Sequence, residues 1–356
     1  MLSSDSFKKL YRNTMGWLHL DYMIKRIAFL IVLIVCSLGC NVKETVENGR
    51  DVLDFSISYW PFGNEKALCF TWDDGAPIHT RSIVSVFNKY NYRTTFFFIT
   101  KKLSNGGSAL LDEYRFAVES GHEVGSHTVS HLSLPELSLS DAKYQIQQSA
   151  IDLEGFLGYK PTSFAHPFRQ MSNEIDEIVL KYYLSARFST IQKYPRRKIR
   201  SLISEDSYSS LKNEFDSFLK DDYNRWIVYV GHGLSSEHIP SGLAYQPLDS
   251  IALDSFLGYV KGFDDKVWVT PFEDVIVYEI IRDNVSLFFE KGKVFVDTHS
   301  IDPILEEYPH PHAYLTLVVD NPSFTFESEG LESVRVEKDV AYVTLDLRKS
   351  KELFYR

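Results

Sequence analysis

Between about residues 64 and 283 short apolar runs alternate with amphipathic stretches, and this rhythm is the strongest constraint on the fold. Ala67 to Trp72 reads as a buried strand, and Ile83, Phe87 and Tyr90 then mark one helical face. Thr94 to Ile99, rich in Thr and Phe, is a second strand. Ser138, with Asp141 three residues on, makes a helix start of the capping-box kind; Ile146, Ala150, Leu153 and Leu157 follow at helical spacing. Ile175, Ile178, Val179 and Tyr182 repeat the helical pattern, Trp226 to Val230 and Val267 to Val269 are further strands, and helical runs lie near 250–260 and 273–282. Strands that alternate with helices imply a parallel sheet with helices outside it, hence an α/β class. Periodicity does not separate an open sheet from a closed barrel. In both, chemistry sits at the C-terminal ends of the strands, so polar residues just past them are the functional candidates.

The flanks read differently. Met23 to Cys40 carries a basic start (Lys25, Arg26), an apolar run from Ile27 to Val35 and small residues before Cys40, the layout of an export signal. The run is shorter than the ~20 residues of a membrane span. Ser37-Leu38-Gly39-Cys40 resembles a bacterial lipoprotein box, so residues 1–40 are expected to target the chain to the cell envelope or periplasm, with membrane attachment through a lipidated Cys40. Residues 1–22 have no role in that signal and read as an extension upstream of a start at Met23. Residues 41–63 are polar with little apolar periodicity and read as a tether; 64–283 is the α/β unit. From 284 to 356 short strands dominate, and Ala341, Val343, Leu345 and Leu347 alternate with polar residues, so a small C-terminal all-β, sandwich-like module is expected. The length of 356 residues agrees with about two domains, and a net charge of -10 argues against a nucleic-acid partner. Three Cys exclude a disulfide scaffold.

Four strand ends carry chemistry. Asp73-Asp74-Gly75 follows Trp72, His127 and His131 follow the run His122 to Gly125, His166-Pro167-Phe168 follows Phe164-Ala165, and His232 follows Val230. Taken singly, each has an ordinary reading: a turn, a surface His pair, a core histidine. Their joint occurrence at strand ends outweighs this. His127 and His131, at i and i+4, point the same way if the segment is helical. Two His and one carboxylate make a three-ligand metal site with open positions. A second, adjacent carboxylate is then free to take a proton.

The stretches Phe70 to Gly75, Gly121 to His131, Phe164 to Phe168 and Ile227 to His232 resemble motifs of NodB-homology polysaccharide deacetylases (carbohydrate esterase family 4), with Val267 to Phe272, Tyr278 and Arg282 similar to the family's closing strand and helix. The resemblance implies a distorted (β/α) barrel over about 64–283. It implies a divalent metal on Asp74, His127 and His131, with zinc first and cobalt, nickel or iron as alternatives, Asp73 as base and His232 as acid. It places Phe168 and Pro167 at the oxyanion, and an acetylated polysaccharide or oligosaccharide, N-acetyl before O-acetyl, as substrate. Trp72, Trp226 and nearby Tyr are expected to stack on sugar rings.

Three departures stand out. Ala165 occupies the place of the family's base-orienting Arg, Arg169 that of a common Gly, and no Asp/Trp motif to support the acid His is recognisable between 190 and 225. Arg187 is the candidate replacement for the missing Arg, with His166 also near the site. Two other readings compete. One is a deacetylase-like scaffold that binds glycan without turnover. The other is a mononuclear iron oxygenase, disfavoured because the two His lie close together and Asp74 lies far upstream.

Overall fold

The structure is a computed structural model. It describes residues 44–48, 51–75, 78–105, 107–194, 196–237, 239, 242, 244–290, 292–308, 311–320 and 324–356. The export signal, Cys40 and residues 1–22 lie outside the described residues. Among those described, no helix is long and apolar enough to cross a membrane.

Two short strands come first, β1 (Glu44–Asn48) and β2 (Asp51–Ile57). The α/β unit follows with β3 (Lys66–Trp72), β4 (Thr95–Phe98), β5 (Glu123–Ser126), β6 (Ser163–Phe164), β7 (Ser185–Ala186), β8 (Arg197–Ser201) and β9 (Trp226–Gly231). A minor parallel pair, β10 (Leu234–Ser235) and β11 (Leu248–Asp249), precedes β12 (Val267–Val269). The main sheet runs β7-β6-β5-β4-β3-β9-β8, with β12 also on β3, and every pairing in it is parallel. With β7 and β8 at its two edges the sheet is an incomplete barrel, the distorted (β/α) barrel expected.

Alternation along the strands builds two layers. Leu68, Phe70 and Trp72 pack outward with Ile83, Phe87, Phe256 and Leu257 of the covering helices. Ala67, Cys69, Phe97, Ala165, Trp226, Val228 and Val230 fill the barrel interior. The small residues Ala67, Cys69 and Ala165 leave room for large rings such as Phe97 and Trp226. The helix Leu139–Leu157 begins as the sequence implies, with Ser138 accepting from the Asp141 N–H and Gly158 closing it at φ 80°.

The remaining strands are β13 (Ser286–Glu290), β14 (Lys293–Asp297), β15 (Tyr314–Asp320), β16 (Phe326–Glu327), β17 (Leu331–Glu337), β18 (Val340–Asp346) and β19 (Glu352–Tyr355). They form two antiparallel sheets, β1-β2-β15-β18-β17 and β13-β14-β19-β16. Phe55, Val294, Val296, Leu317, Val343, Leu345 and Leu353 pack between them as a second core.

The stretch 41–63 therefore departs from the expected tether: 44–48 and 51–57 are strands of this sandwich. Phe55 and Ile57 lie two apart on one face and pair in register with Val319 and Leu317. The partner strand is some 260 residues away, so no local pattern signals it. The sandwich consequently closes around the barrel's entry as well as its exit. The helix Phe272–Asn284 joins the two cores, with Val275, Ile276 and Tyr278 in the barrel and Val277 and Ile281 in the sandwich.

Candidate metal centre and active site

The interior-facing series on each strand, extended by one step of two, names much of the site. On β3, Ala67, Cys69 and Thr71 lead to Asp73; on β9, Trp226, Val228 and Val230 lead to His232; on β5, Glu123 and Gly125 lead to His127. The same step on β4 and β7 reaches Ile99 and Arg187. Hydrogen bonds from Asp73 N to Gly231 O (2.9 Å) and from His127 N to Phe98 O (2.8 Å) continue the ladder beyond the strands.

The Asp-Asp-Gly turn reverses sharply. Asp74 and Gly75 have φ of 72° and 68°. A Cβ on Gly75 would lie 2.4 Å from the Phe98 ring, so only glycine fits there. His127 and His131 are not on a helix: the chain makes a turn with φ of 68° at Thr128 and 58° at His131. The Thr128 hydroxyl accepts from His131 N at 2.9 Å, and Gln145 accepts from Ser130 N at 2.9 Å, fixing the turn on the helix behind it. Both imidazoles still converge, with ring centroids 4.8 Å apart.

Asp74, His127 and His131 bring one donor atom each to within 4.8 Å of one another. Asp74 Oδ1 lies 3.6 Å from His127 Nε2 and 3.3 Å from His131 Nε2. None of these approaches is aligned as a hydrogen bond, and Asp74 Oδ1 is buried without a hydrogen-bond partner among the described residues. His127 Nδ1 donates to the Ala165 carbonyl at 2.7 Å, which turns the Nε2 lone pair toward Asp74. Burial holds the His127 imidazole neutral against the pull of Asp73 and Asp74. Three donors directed at one point, one of them a buried orphan oxygen, fit a divalent cation.

Asp73 is buried, and Arg187 grips it with a two-pronged contact, Nη1 to Oδ1 and Nη2 to Oδ2, each 2.6 Å. Nη1 also donates to Thr71 Oγ1 at 2.9 Å. Burial alone would raise this carboxyl; the Arg187 guanidinium more than offsets that and holds it well below the usual carboxylate range. Arg187, the expected replacement for the missing Arg, is thus in direct contact with Asp73. Ala165, where a larger residue was missing, contributes its carbonyl to His127 instead.

Residues 63–186 match the family model described as polysaccharide deacetylase. This segment is similar to polysaccharide deacetylase domains. The chain is 31% identical over 113 residues to the peptidoglycan-N-acetylmuramic acid deacetylase PdaC of Bacillus subtilis, covering 32% of this chain and 23% of that protein. It is 31% identical over 118 residues to chitin deacetylase 1 of Saccharomyces cerevisiae, covering 33% and 37%. It thus spans well under half the length of these relatives. The solved structure of Bacillus subtilis PdaC aligns with a TM-score of 0.42 at 20% identity, over 60% of this chain and 90% of that one.

Within the matched segment and the strands that follow it, the other expected residues divide into two groups. His232 stands at the end of β9 with its ring edge-on to Tyr245, centroids 5.2 Å apart. Its Nδ1 is buried with no hydrogen-bond partner among the described residues, in keeping with the missing Asp/Trp motif. Phe168 is 63% exposed, at φ 55° in the turn begun by Pro167, and its ring lies 4.5 Å from that of His131.

Three expectations are corrected. Trp72 faces the outer core, 2% exposed, and donates to Thr94 Oγ1 at 3.1 Å; its place in the series opposite Thr71 and Asp73 puts it out of reach of substrate. Trp226 is likewise core, donating to Cys69 Sγ at 3.3 Å. His166 turns away to Asp176, 2.8 Å from Nε2 to Oδ1, at an angle too poor for a full hydrogen bond. Asp176 also accepts from Ser189 and Thr190 hydroxyls at 2.9 Å, so this pair anchors the loop that follows Arg187.

The sequence reading missed Ile99, Lys102 and Tyr245, which line the cleft beside Asp74 and His131. Lys102 donates to the Asp74 carbonyl at 2.8 Å, and Tyr245 is 63% exposed. Ile99 was reachable by extending the β4 series; Lys102 and Tyr245 sit on connections with no periodic signal.

Proposed function

We propose that this protein removes acetyl groups from a cell-envelope or extracellular polysaccharide, N-acetyl in preference to O-acetyl. The observation that carries the reading is the Arg187-held Asp73 beside the three-donor set of Asp74, His127 and His131. Relatives named as peptidoglycan and chitin deacetylases support the substrate class.

Asp74, His127 and His131 would hold a divalent cation, with zinc the first choice. Once bound, such an ion polarises a carbonyl and lowers the pKa of water. Asp73 takes the proton from the attacking water, and Arg187 keeps it ionised and aimed. As the oxygen adds to the acetyl carbon, the Phe168 backbone N–H donates to the developing oxyanion, in the turn that Pro167 shapes. His232 gives its proton to the departing nitrogen, the C–N bond breaks, and acetate and a free amino sugar leave. An amide leaving group needs that proton more than an alkoxide does, so an acid at this position favours the N-acetyl substrate. Export, with lipidation at Cys40 as the anchor, would place the site among envelope glycans; stable anchoring takes more than one acyl chain.

His232 Nδ1, without a hydrogen-bond partner among the described residues, favours one competing reading, a scaffold that binds glycan without turnover. Acetate release from N-acetylglucosamine oligomers, measured on zinc-loaded and on chelator-treated protein, separates the two. The deacetylase reading expects release that chelation stops and zinc restores. Binding of the oligomers with no acetate under either condition would establish the scaffold.

A further inference from the structure

The sheet β13-β14-β19-β16 has one face on the sandwich core and one face open. Leu287 and Phe289, Val294 and Val296, and Leu353 and Tyr355 point inward. The alternate positions point outward, and there Phe288, Phe295 and Phe354 are 54, 38 and 46% exposed. Register sets Phe288 directly opposite Phe295. Phe295 pairs with Glu352, two residues before Phe354, so the second and third rings are diagonal neighbours within reach of each other. A half-buried strand ordinarily puts polar side chains on its open face. Here three rings form one strip across three adjacent strands.

We infer that this strip is a docking platform for a neutral polysaccharide chain, separate from the barrel cleft. Size is the first argument. Phe side chains offer about 200 Å² each, so the three exposed fractions sum to roughly 280 Å². A stable protein partner or second copy needs about 800 Å² per side. The strip is far short of that and suits two or three sugar rings. Charge is the second. Among the described residues, Glu290, Asp297, Glu327 and Glu352 outnumber Lys293 and Arg356 around the rings, which disfavours an anionic membrane surface. A pyranose chain presents apolar C–H faces for stacking and hydroxyls at its edges. The rim supplies acceptors and donors at that height, with Lys293 held 2.7 Å from Glu352 and 5.3 Å over the Phe354 ring. The choice of glycan as occupant rests on the deacetylase reading of the barrel.

The test is retention of the full chain on insoluble chitin and on cellulose, both neutral. The protein carrying Phe288→Ser, Phe295→Ser and Phe354→Ser together is expected to bind at least about tenfold more weakly, the sum of three stacking contacts. It should still release acetate from short soluble oligomers at the parent rate. Phe295→Tyr, which keeps a stacking ring, should be retained like the parent and guards against a folding defect in the triple variant. Asp73→Asn should also be retained. Retention lost in the triple variant of a chain that shows no deacetylase activity would support the platform while sinking the enzyme reading. Equal retention of parent and triple variant, no retention of the parent on either glycan, or a dimer in solution that the triple substitution dissolves would each overturn the platform.

Discussion

Two carboxylates are buried inside the same barrel, at opposite ends, and they are driven in opposite directions. Asp73 lies past the C-terminal end of β3, where Arg187 bonds both of its oxygens and holds it ionised. Glu123 lies at the N-terminal end of β5. Its partners are neutral donors: Thr95 Oγ1 at 2.7 Å, the Ser163 hydroxyl, and the Glu273 N–H at 2.9 Å. Burial, reinforced by the Glu273 charge, pushes Glu123 up to about 8. Burial is common to both, so it does not set which of them is charged. A two-pronged guanidinium keeps Asp73 charged, at the end where Asp74, His127 and His131 bring their donor atoms together. The other end is closed by the helix Phe272–Asn284, whose first N–H groups Thr95 and Glu123 accept.

Breaking the Asp73 end should cost most. Arg187→Ala leaves an uncompensated buried carboxylate and is expected to lower stability by about 3–5 kcal/mol in chemical denaturation. Arg187→Lys keeps the charge but loses the fork, and should fold while losing about 10–100-fold in acetate release. A Lys variant as active as the parent would mean that Asp73 needs only charge, not aim. Next comes His232→Ala, with an expected loss of ~10²–10⁴-fold on an N-acetyl sugar. On an aryl acetate, whose leaving group needs no proton, the same variant should be nearly unaffected; equal losses on both would deny His232 the acid role.

The mildest change is at the other end. Glu123 has a folded pKa raised above its unfolded value of ~4.3. Its contribution is therefore fully present below pH ~4 and is lost as pH rises toward about 8. Glu123→Gln should flatten that decline, gaining on the order of 1 kcal/mol above pH ~8, with acetate release unchanged. Asp73, with a depressed pKa, has the reverse sign: its contribution is present above pH ~4 and lost on acidification. Opposite slopes from the two variants would sharpen the contrast between the ends; parallel slopes would erase it.

How much of this was legible depends on whether the signal was local. Asp73, Asp74, the His pair and His232 follow strands directly, so periodicity and strand-end logic reach them. The convergence of the two imidazoles was also expected, although a turn with two left-handed residues produces it and not a helix. The same alternation that delivers Asp73 to the interior excludes Trp72, and counting positions from Ala67 would have shown this. The grip of Arg187 on Asp73 joins residues 114 apart in sequence, and the pairing of β2 with β15 spans more than twice that. Such contacts leave no pattern in either segment alone. Lys102 and Tyr245 reach the cleft from connections whose course the barrel sets.

The central claim is that Asp73 acts as a base beside a metal set it does not belong to. The direct measurement pairs zinc content with acetate release for the parent and for Asp73→Asn. The account predicts equal zinc stoichiometry in both and release lowered by ~10²–10⁴-fold in the variant. Undiminished release from Asp73→Asn, or loss of zinc along with activity, would contradict it.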